Sequence, residues 1–586
     1  MIMFKRFFYF FKRHWLVFCC TLIVGVISVA PWALAIHSVA NDYQGIFFSS
    51  SGDDYTYLAR MQEVLDGHPM VGSPFYYEYK NIPSLMLPFG EYIYVALSFI
   101  FHLSIVNALF LSKFIFPATL FLLIYCLAIF LAEEKDSLRA KINAIAGGFF
   151  VTLGYDLIDY KFVWHYLSAY FPDPKLMLWT RPVNPVTGAL CLFVYLLFLW
   201  LIISKRRRFL IAPAGIISGL MIYYFFSWGM ALSIIAILIL IFLLRKRYKI
   251  LKDLLLVVLV NISIVLIFLY KVIFSLISQD GQGLALRNGM FLTHAPVFNK
   301  VVLAGVLFFT PFLIYEYYQK RKKGEEIADW WWFCWALLLG GLVAFNQQII
   351  TGRTIWPHHF VQYTIPLTII AILILFFNKI RFLSRFIWAA AIGIIITASL
   401  FFSLFEVSRH NNDLPVWKET QDYAGPLAWL NNSAPKDCVV LAADFRSQSL
   451  VPAFTHCNLF VAYWNYAGVP FDRTVFNYLV YLKMKGIALE DIDLYLQENI
   501  MEVRMLYFSD WGQLYNRNNN EKWLQEKANL VAGKYREFYT KDFRKELSRY
   551  RLDYILSVGP LTQEIATQLT GIKPVFEKNN LFLYSF

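Results

Sequence analysis

Charged side chains are scarce in this 586-residue sequence, where Asp, Glu, Lys and Arg together make up 16% of the chain. An ordinary soluble domain has about a quarter. The sequence also lacks a Gly-rich phosphate loop, a Cys-x-x-Cys pair and a Ser-centred nucleophile elbow, which leaves three common types of catalytic or metal site without support. Hydrophobic residues, in contrast, reach 58% and the mean hydropathy is +0.51. This composition is typical of a membrane protein.

The formal net charge of +13 raises the possibility of nucleic-acid binding. The basic residues occur in short clusters between apolar runs, however, which is the distribution that sets membrane topology, and we therefore expect no nucleic-acid partner. The apolar run at 15–36 is too long for the core of a cleavable signal peptide. We expect it to be a retained first membrane helix.

Eleven apolar segments are long enough to cross a bilayer, or nearly so. They are 15–36, 105–132, 141–155, 186–203, 209–226, 229–244, 252–277, 300–318, 330–350, 359–378 and 383–405. The sequence thus predicts a polytopic α-helical membrane protein with about 11 transmembrane helices.

The basic residues between these segments predict the orientation. With the N-terminus inside, 23 basic residues fall in the inner segments and about seven in the outer loops. Because an excess of Lys and Arg marks the cytoplasmic side, we predict an N-in, C-out topology in a bacterial-type inner (plasma) membrane. An odd number of crossings fits this alternation.

The outer side carries most of the irregular sequence. We predict a transmembrane domain over 1–405, with a first outer loop at 37–104 and a second at 155–185. The apolar stretch Gly90 to Leu103 is interpreted as an interfacial helix. From Glu406 onward, β-rich runs alternate with helical stretches, which predicts a soluble extracytoplasmic α/β domain over 406–586 with a partly parallel sheet.

Two of the seven cysteines, Cys438 and Cys457, lie in this predicted outer domain at the starts of two strands. A disulfide between them is plausible in an oxidising compartment, and two unpaired buried thiols are the alternative. The other cysteines lie in or beside the apolar segments and are most simply small apolar residues.

The first outer loop contains an acidic pair, Asp53-Asp54, just before an amphipathic stretch from Tyr55 to Leu65. A carboxylate at a helix N-terminus is often only a cap. One cap needs one carboxylate, so the second is unexplained. Near the membrane surface, Asp53 or Asp54 is suited to accept an acceptor proton or to hold a divalent cation.

The second outer loop adds Asp156, Asp159 and Arg181. The acidic residues are either loop residues in solvent or, for Asp156, a further metal ligand. Arg181, flanked closely by prolines, is either an anchor to lipid headgroups or a bidentate ligand for a donor phosphate.

A third polar cluster begins at Asn346 and Gln347, continues to Arg353 and ends at His358 and His359. Interhelical hydrogen bonding is the simple explanation. The density of polar residues at the mouth of two apolar helices favours a site instead. Arg353 is our first candidate for a donor phosphate contact, with His358 and His359 adding charge or hydrogen bonds.

The segment Asp54-Tyr-Thr-Tyr-Leu-Ala-Arg60 is similar to the Asp-Pro-Tyr/Trp…Arg stretch of oligosaccharyltransferase catalytic subunits, and Asp53-Asp54 resembles the Asp-Glu pair of protein O-mannosyltransferases and lipid A aminoarabinose transferases. All belong to the GT-C superfamily of membrane glycosyltransferases. The two alignments name different residues as the key carboxylate. The sequence departs from oligosaccharyltransferases in having Asp-x-x-Asp at 156–159 and no Thr-Ile-x-Glu motif.

The resemblance implies a GT-C-like hexosyl- or pentosyltransferase that moves a sugar from a polyprenyl-phosphate-linked donor to an acceptor on the outer face. It places Tyr55, Arg60, Asn346 and Gln347 in the substrate pocket, and it allows Mg²⁺ or Mn²⁺ on Asp53, Asp54 and Asp156. Two alternatives are a transporter of lipid-linked sugars and a non-catalytic scaffold whose outer domain binds a glycan or a partner. A transporter is less favoured by the odd helix count.

Overall fold

The fold is that of a computed structural model, which describes most of the chain. Outside the described residues lie 1, 50–51, 82–86, 136, 160–162, 165–167, 169–176, 278–291, 355, 380–384, 409–412, 443, 463–468 and 508–520. The side chains of 2–13, 52, 270–272, 274–277, 357–358 and 385 also lie outside the described part.

Each of the eleven predicted segments coincides with a helix. These helices are α1 (Ile2–Val39), α4 (Ile105–Leu131), α5 (Leu138–Thr152), α6 (Val186–Lys205), α7 (Ile211–Leu220), α8 (Phe225–Leu244), α9 (Tyr248–Ile277), α10 (Lys300–Lys322), α11 (Asp329–Phe345), α13 (Pro357–Lys379) and α14 (Arg385–Ser408). In the described part of the chain, eight helices are long and apolar enough to cross a membrane. The chain is an integral membrane protein, and its orientation and the count of eleven crossings remain predictions.

Of the remaining three helices, α7 and α11 are shorter than their predicted segments, and α5 is as long as its segment. α7 has ten residues and ends in a 3₁₀ turn at Met221–Tyr223, α11 has 17 residues, and α5 has 15. At 1.5 Å per residue, ten residues span only about 15 Å. The predicted apolar segment is therefore longer than helix α7, because apolar residues continue through the 3₁₀ turn that follows the helix.

Small residues allow two of the membrane helices to approach closely. A Cβ atom on Gly215 of α7 would lie 2.4 Å from the Cβ of Val260 on α9, and one on Gly219 would lie 2.6 Å from that of Ile264. Glycine at both positions is thus required for this contact, as is common at helix interfaces in membranes.

The first outer loop forms two helices, α2 (Gly52–Leu65) and α3 (Phe89–Phe101). The helix predicted at Gly90 to Leu103 is confirmed as α3. One face of α3 buries Glu91 and Tyr94, and its last turn leaves Phe99 and Ile100 each 67% exposed. A third helix on this side, α12 (Gln348–Thr351), is a single turn.

The C-terminal part is α/β, as predicted. Its helices are α15 (Leu414–Gln421), α16 (Ala424–Ser433), α17 (Phe445–Phe454), α18 (Phe471–Met484), α19 (Ile492–Glu498), α20 (Ile500–Tyr507), α21 (Glu521–Tyr539), α22 (Phe543–Leu547) and α23 (Gln563–Gln568). Its strands are β1 (Val439–Ala442), β2 (Asn458–Leu459), β3 (Tyr554–Val558), β4 (Lys573–Lys578) and β5 (Leu581–Ser585).

The strands form a five-stranded sheet in the order β2-β1-β3-β5-β4. β1 pairs in parallel with β2 and β3, and β5 is antiparallel to β3 and β4, which confirms the partly parallel sheet. β4 was not predicted, because it is an exposed edge strand with charged residues at both ends, and such a strand has no apolar alternation to recognise.

The first outer loop packs against this sheet. The backbone oxygen of Phe75 accepts a hydrogen bond from the amide of Leu459 at 2.7 Å, and the buried hydroxyl of Tyr76 donates to the oxygen of Ala462. Cys438 and Cys457 form a disulfide beside these contacts, so the pairing considered from the sequence is confirmed. The loop and the C-terminal part therefore share one buried layer.

Candidate functional site

The acidic pair lies in the first turn of α2, where the helix dipole favours negative charge. Its two carboxylates have different surroundings. The Asp53 side chain is 36% exposed and pairs with the guanidinium of Arg181 at 2.5 Å. The Asp54 side chain is fully buried and pairs with the ammonium of Lys113 at 3.4 Å. Only Asp53 of the two thus has a carboxylate within reach of solvent.

Lys113 comes from α4, an otherwise apolar membrane helix. Besides approaching Asp54, its ammonium donates to the backbone oxygen of Thr180 at 2.9 Å and lies 4.1 Å from the ring centroid of Trp32. One buried cation therefore connects the start of α2 with the turn that carries Arg181. Lys113 was not among the predicted site residues, although an ionisable residue inside an apolar helix is itself an indication of a site.

The turn before Arg181 is held by buried contacts of its own. The indole of Trp179, 1% exposed, donates to the backbone oxygen of Val151 at 2.7 Å, and the Thr180 hydroxyl donates to the oxygen of Met177. The Nε of Arg181 is buried and has no hydrogen-bond partner within the described residues. The guanidinium therefore has one N–H donor that can form a further hydrogen bond while Arg181 is paired with Asp53.

Tyr57, on α2 one turn after Asp53, is buried beside this ion pair. Burial raises the pKa of the Tyr57 phenol, an effect that the Arg181 charge opposes and the Asp53 charge reinforces. The phenol is thus protonated at neutral pH and can act as a hydrogen-bond donor, but not as a base.

His359 is connected to the same loop through Asn184. The Asn184 amide lies 3.3 Å from the Nδ1 of His359, and its oxygen accepts from the Tyr363 hydroxyl at 2.9 Å. The imidazole is 5% exposed and stacks on Phe226. With the amide donating to Nδ1, the proton of a neutral imidazole is on Nε2. His358 has a side chain outside the described part of the chain.

The predicted residues Asn346, Gln347 and Arg353 lie in one short loop, and two of them brace it. The Asn346 amide oxygen accepts from the Val297 amide at 2.8 Å, and the Gln347 amide donates to the Arg353 backbone oxygen at 2.8 Å. The Arg353 side chain is exposed, and no described residue links it to Asp53, Asp54 or Arg181. The structure thus brings Arg181 to the acidic pair, and the phosphate contact of Arg353 stays a prediction.

The other predicted residues also have structural partners. Arg60 forms a buried ion pair with Glu91 of α3, so its guanidinium joins the two helices of the first outer loop. The Tyr55 hydroxyl donates to the Phe47 backbone oxygen at 2.9 Å. Asp156 lies half-buried in a 3₁₀ turn at Tyr155–Ile158.

A divalent cation on Asp53, Asp54 and Asp156 is not supported by the geometry of these residues. Hard cations such as Mg²⁺ need several oxygen ligands around one point. Asp53 and Asp54 are each paired with a cationic side chain instead. Within the described residues, the group of three potential ligand side chains that does converge is Cys438, His456 and Cys457, two of which form the disulfide.

Comparisons with known proteins give structural neighbours only. No family model and no curated protein matches the chain. It is similar to the apo crystal structure of the Archaeoglobus fulgidus oligosaccharyltransferase, with a TM-score of 0.43, 14% identity, and coverage of 93% of this chain and 70% of that one. A second neighbour is AglB from the same organism in complex with an inhibitory peptide and a dolichol-phosphate, with a TM-score of 0.44 and the same identity and coverage. At this similarity no residue role is carried over.

Proposed function

We propose that the protein is a membrane glycosyltransferase that transfers a sugar from a polyprenyl-phosphate-linked donor to an acceptor on the outer face. The observation that supports this most is the ion pair between Asp53 and Arg181, which is partly exposed above a fully buried pair, Asp54 and Lys113. A carboxylate and a guanidinium at one partly open position are the two groups that sugar transfer from a phosphate needs.

In this proposal Arg181 binds the donor phosphate. Arginine matches a phosphate with two parallel hydrogen bonds, and the buried Nε of Arg181 has no partner within the described residues. An incoming phosphate competes with Asp53 for the guanidinium. Donor binding thereby frees the Asp53 carboxylate at the moment when it is needed.

Asp53 then acts as the general base. An acceptor hydroxyl or amine attacks the anomeric carbon and gives its proton to the Asp53 carboxylate. The bond between the anomeric carbon and the phosphate oxygen breaks, and the phosphate leaves with the electron pair. Arg181 stabilises the charge that develops on this leaving group. Direct displacement of this kind inverts the configuration at the anomeric carbon.

Asp54 and Lys113 are positioning residues in this scheme. Lys113 contacts both Asp54 and Thr180. Asp54 directly follows Asp53 in the sequence, and Thr180 directly precedes Arg181. Neither charge of the buried pair is available to a substrate, because both side chains are fully buried.

The proposal is tested by comparing Asp53→Asn with the matched control Asp66→Asn in the full-length chain reconstituted in liposomes. Asp66 lies just beyond the other end of α2, where it accepts from Gln62 at 3.1 Å, and Asn keeps that acceptor. Transfer of labelled sugar from polyprenyl-phosphate-linked donors should fall at least about 100-fold in D53N, since a general base contributes that much, and stay near the wild-type rate in D66N.

Wild-type transfer by D53N would exclude the proposed base. A wild-type chain that moves the lipid-linked sugar across the bilayer without transferring it would instead identify a transporter, and one that only binds glycans would identify a scaffold.

A further inference from the structure

The first helix, α1 (Ile2–Val39), consists of two helical parts that meet at His14. The backbone angles of His14, φ −123° and ψ 22°, lie outside the helical range and interrupt the helix. The imidazole of His14 is 8% exposed, and its Nδ1 lies 2.7 Å from the hydroxyl of Tyr125 on α4. The interruption is thus held against another membrane helix, and the backbone of residues 2–13 forms a separate short helix before it.

Residues 2–13 are not needed to cross the membrane. The apolar span His14–Asp42 has 29 residues, whereas about 20 are enough for a hydrocarbon core of ~30 Å. Trp15, which directly follows the interruption, is 58% exposed, and tryptophan is typical of the boundary between acyl chains and headgroups. These two observations place residues 2–13 outside the hydrocarbon core.

The composition of residues 2–13 suits neither water nor the hydrocarbon core. Six of these twelve residues are aromatic, four are basic and none is acidic. A segment with so many aromatic residues presents an apolar surface that proteins normally cover. The four basic residues, in turn, make burial among acyl chains costly. The boundary between the two phases is the environment that accepts both kinds of residue.

Helical spacing separates the aromatic positions from the basic positions. Most of the aromatic residues follow the i, i+3, i+4, i+7 pattern of a single helix face, namely Phe4, Phe7, Phe8 and Phe11. The basic residues form two pairs that are seven positions apart, Lys5-Arg6 and Lys12-Arg13. At 100° per residue, the two sets are centred about 150° apart around the helix axis. Phe10 is at the edge of the aromatic set, and Tyr9 is among the basic positions.

We infer that residues 2–13 form an amphipathic helix that lies on the membrane surface and binds the headgroups of anionic phospholipids. The aromatic side enters the boundary between headgroups and acyl chains, and the basic side binds the lipid phosphates. The membrane-spanning part of α1 begins directly after this segment, so the bilayer surface is always within reach. The binding does not depend on sugar transfer, so its failure and that of the proposed activity are distinguishable.

The test measures hydrogen exchange of backbone amides by mass spectrometry, with one copy of the full-length chain in each lipid nanodisc. An isolated helix of this length is marginal in water, so its amides exchange whenever it leaves the surface. Each basic residue near an anionic surface contributes about a fivefold factor to binding. The amides of residues 2–13 should therefore exchange at least about tenfold more slowly in nanodiscs that contain phosphatidylglycerol than in nanodiscs of phosphatidylcholine alone.

Two triple variants separate this segment from basic residues elsewhere. K5Q/R6Q/K12Q removes three of the four positive charges and should lose most of the difference between the two lipids. The matched control R321Q/K322Q/K323Q removes three exposed positive charges at the end of α10 and should keep the whole difference. Unchanged exchange over α4 shows that each variant is folded.

A double variant tests the aromatic side. F7Q/F8Q keeps every charge but weakens the apolar contact, so residues 2–13 should exchange faster than in the wild type in both lipids.

Equal exchange of wild-type residues 2–13 in the two lipids would overturn the inference. So would a phosphatidylglycerol effect that is as large in K5Q/R6Q/K12Q as in the control. Slow exchange that occurs only in nanodiscs holding two copies of the chain would also overturn it, since a second copy would then cover the segment.

Discussion

The carboxylate of Asp54 lies 3.4 Å from the ammonium of Lys113, and neither side chain has any exposed surface. The two residues are 59 positions apart in the sequence. Because Lys113 also donates to Thr180, this pair fixes α2 against the turn that carries Arg181.

Loss of the buried cation should destabilise the protein strongly. Lys113→Met removes the buried cation that balances the Asp54 carboxylate, and we expect the free energy of unfolding to fall by about 3 kcal/mol. The double variant D54N/K113M removes the charge as well and should recover part of that loss. Denaturant unfolding in detergent measures both values.

Lys418→Met is a suitable control for that experiment. Lys418 pairs with Asp42 at 3.2 Å, and the two side chains are 50% and 61% exposed, so its loss should cost less than about 1 kcal/mol. If K113M proves no less stable than K418M, the buried pair does not hold the site together.

The phosphate-binding role of Arg181 predicts a change in KM. Arg181→Gln should raise the KM for the lipid-linked donor about tenfold or more, because a charged hydrogen bond is lost, and Arg181→Lys should recover part of it. Arg353→Gln should change this KM little, since the Arg353 side chain is exposed and not linked to the acidic pair within the described residues. A larger effect of R353Q than of R181Q would place the donor phosphate nearer to Arg353, as first expected from the sequence.

Four ionisable side chains form a cluster between the first outer loop and the C-terminal part. Lys80 contacts both Glu63 and Asp437 at 2.8 Å, and His68 contacts Asp437 at 3.2 Å. Burial raises the pKa of Glu63 although Lys80 opposes it. Burial also acts to raise the pKa of Asp437, but the hydrogen bonds and charges of Lys80 and His68 together outweigh it and leave this pKa below its ordinary value.

These shifts predict how pH changes the effect of Lys80→Met. Without the ammonium, ionised Glu63 is buried and unbalanced, so K80M should be destabilised at neutral pH. As the pH falls through the raised pKa of Glu63, protonation removes the charge and the loss of stability should shrink. Asp437 has a lowered pKa, so its stabilising contribution is present above about pH 4 and is lost only below it.

Melting temperatures of wild type, K80M and E63Q/K80M between about pH 7 and pH 5 measure this effect, and Asp437 loses the same Lys80 contact in both variants. His68 is present in all three proteins, so the difference between K80M and E63Q/K80M isolates Glu63. A K80M deficit that stays constant across this window would show that Glu63 is not the cause.

The disulfide predicts a redox dependence of stability. Cys438 and Cys457 are separated by 19 residues, and closing a loop of this length stabilises a fold by about 3 kcal/mol. The double variant C438A/C457A should therefore melt at a lower temperature than the wild type and should not respond to dithiothreitol. Alkylation followed by mass spectrometry should count two more reactive thiols in the reduced chain, and an unchanged count would contradict the disulfide.

Much of the fold follows from local sequence features. Each predicted membrane segment coincides with a helix, because the length of an apolar run is matched to the thickness of a bilayer. The strands β1, β3 and β5 were also predicted, since each is a buried run of β-branched and aromatic residues. The edge strand β4 and the shortness of α7 were not, because neither has a distinctive local pattern.

For the candidate site, the sequence indicated individual residues but not the contacts between them. The sequence indicated an acidic pair, a basic residue in the second outer loop and a polar cluster near His359. It did not indicate that Lys113 would join the first two, that Arg60 would pair with Glu91, or that Asn346 and Gln347 would brace a loop. Each of these contacts links residues by the way helices pack, which local composition does not reveal.

The sequence by itself thus determined membrane residence, the positions of the helices and the existence of the acidic pair, because these depend on short-range composition and spacing. The tertiary structure decided that Asp53 is partly exposed beside Arg181 while Asp54 is buried against Lys113. Neighbouring residues on a helix point in directions about 100° apart, so adjacent carboxylates enter different environments, and the packing of α4 against α2 selects which one is buried.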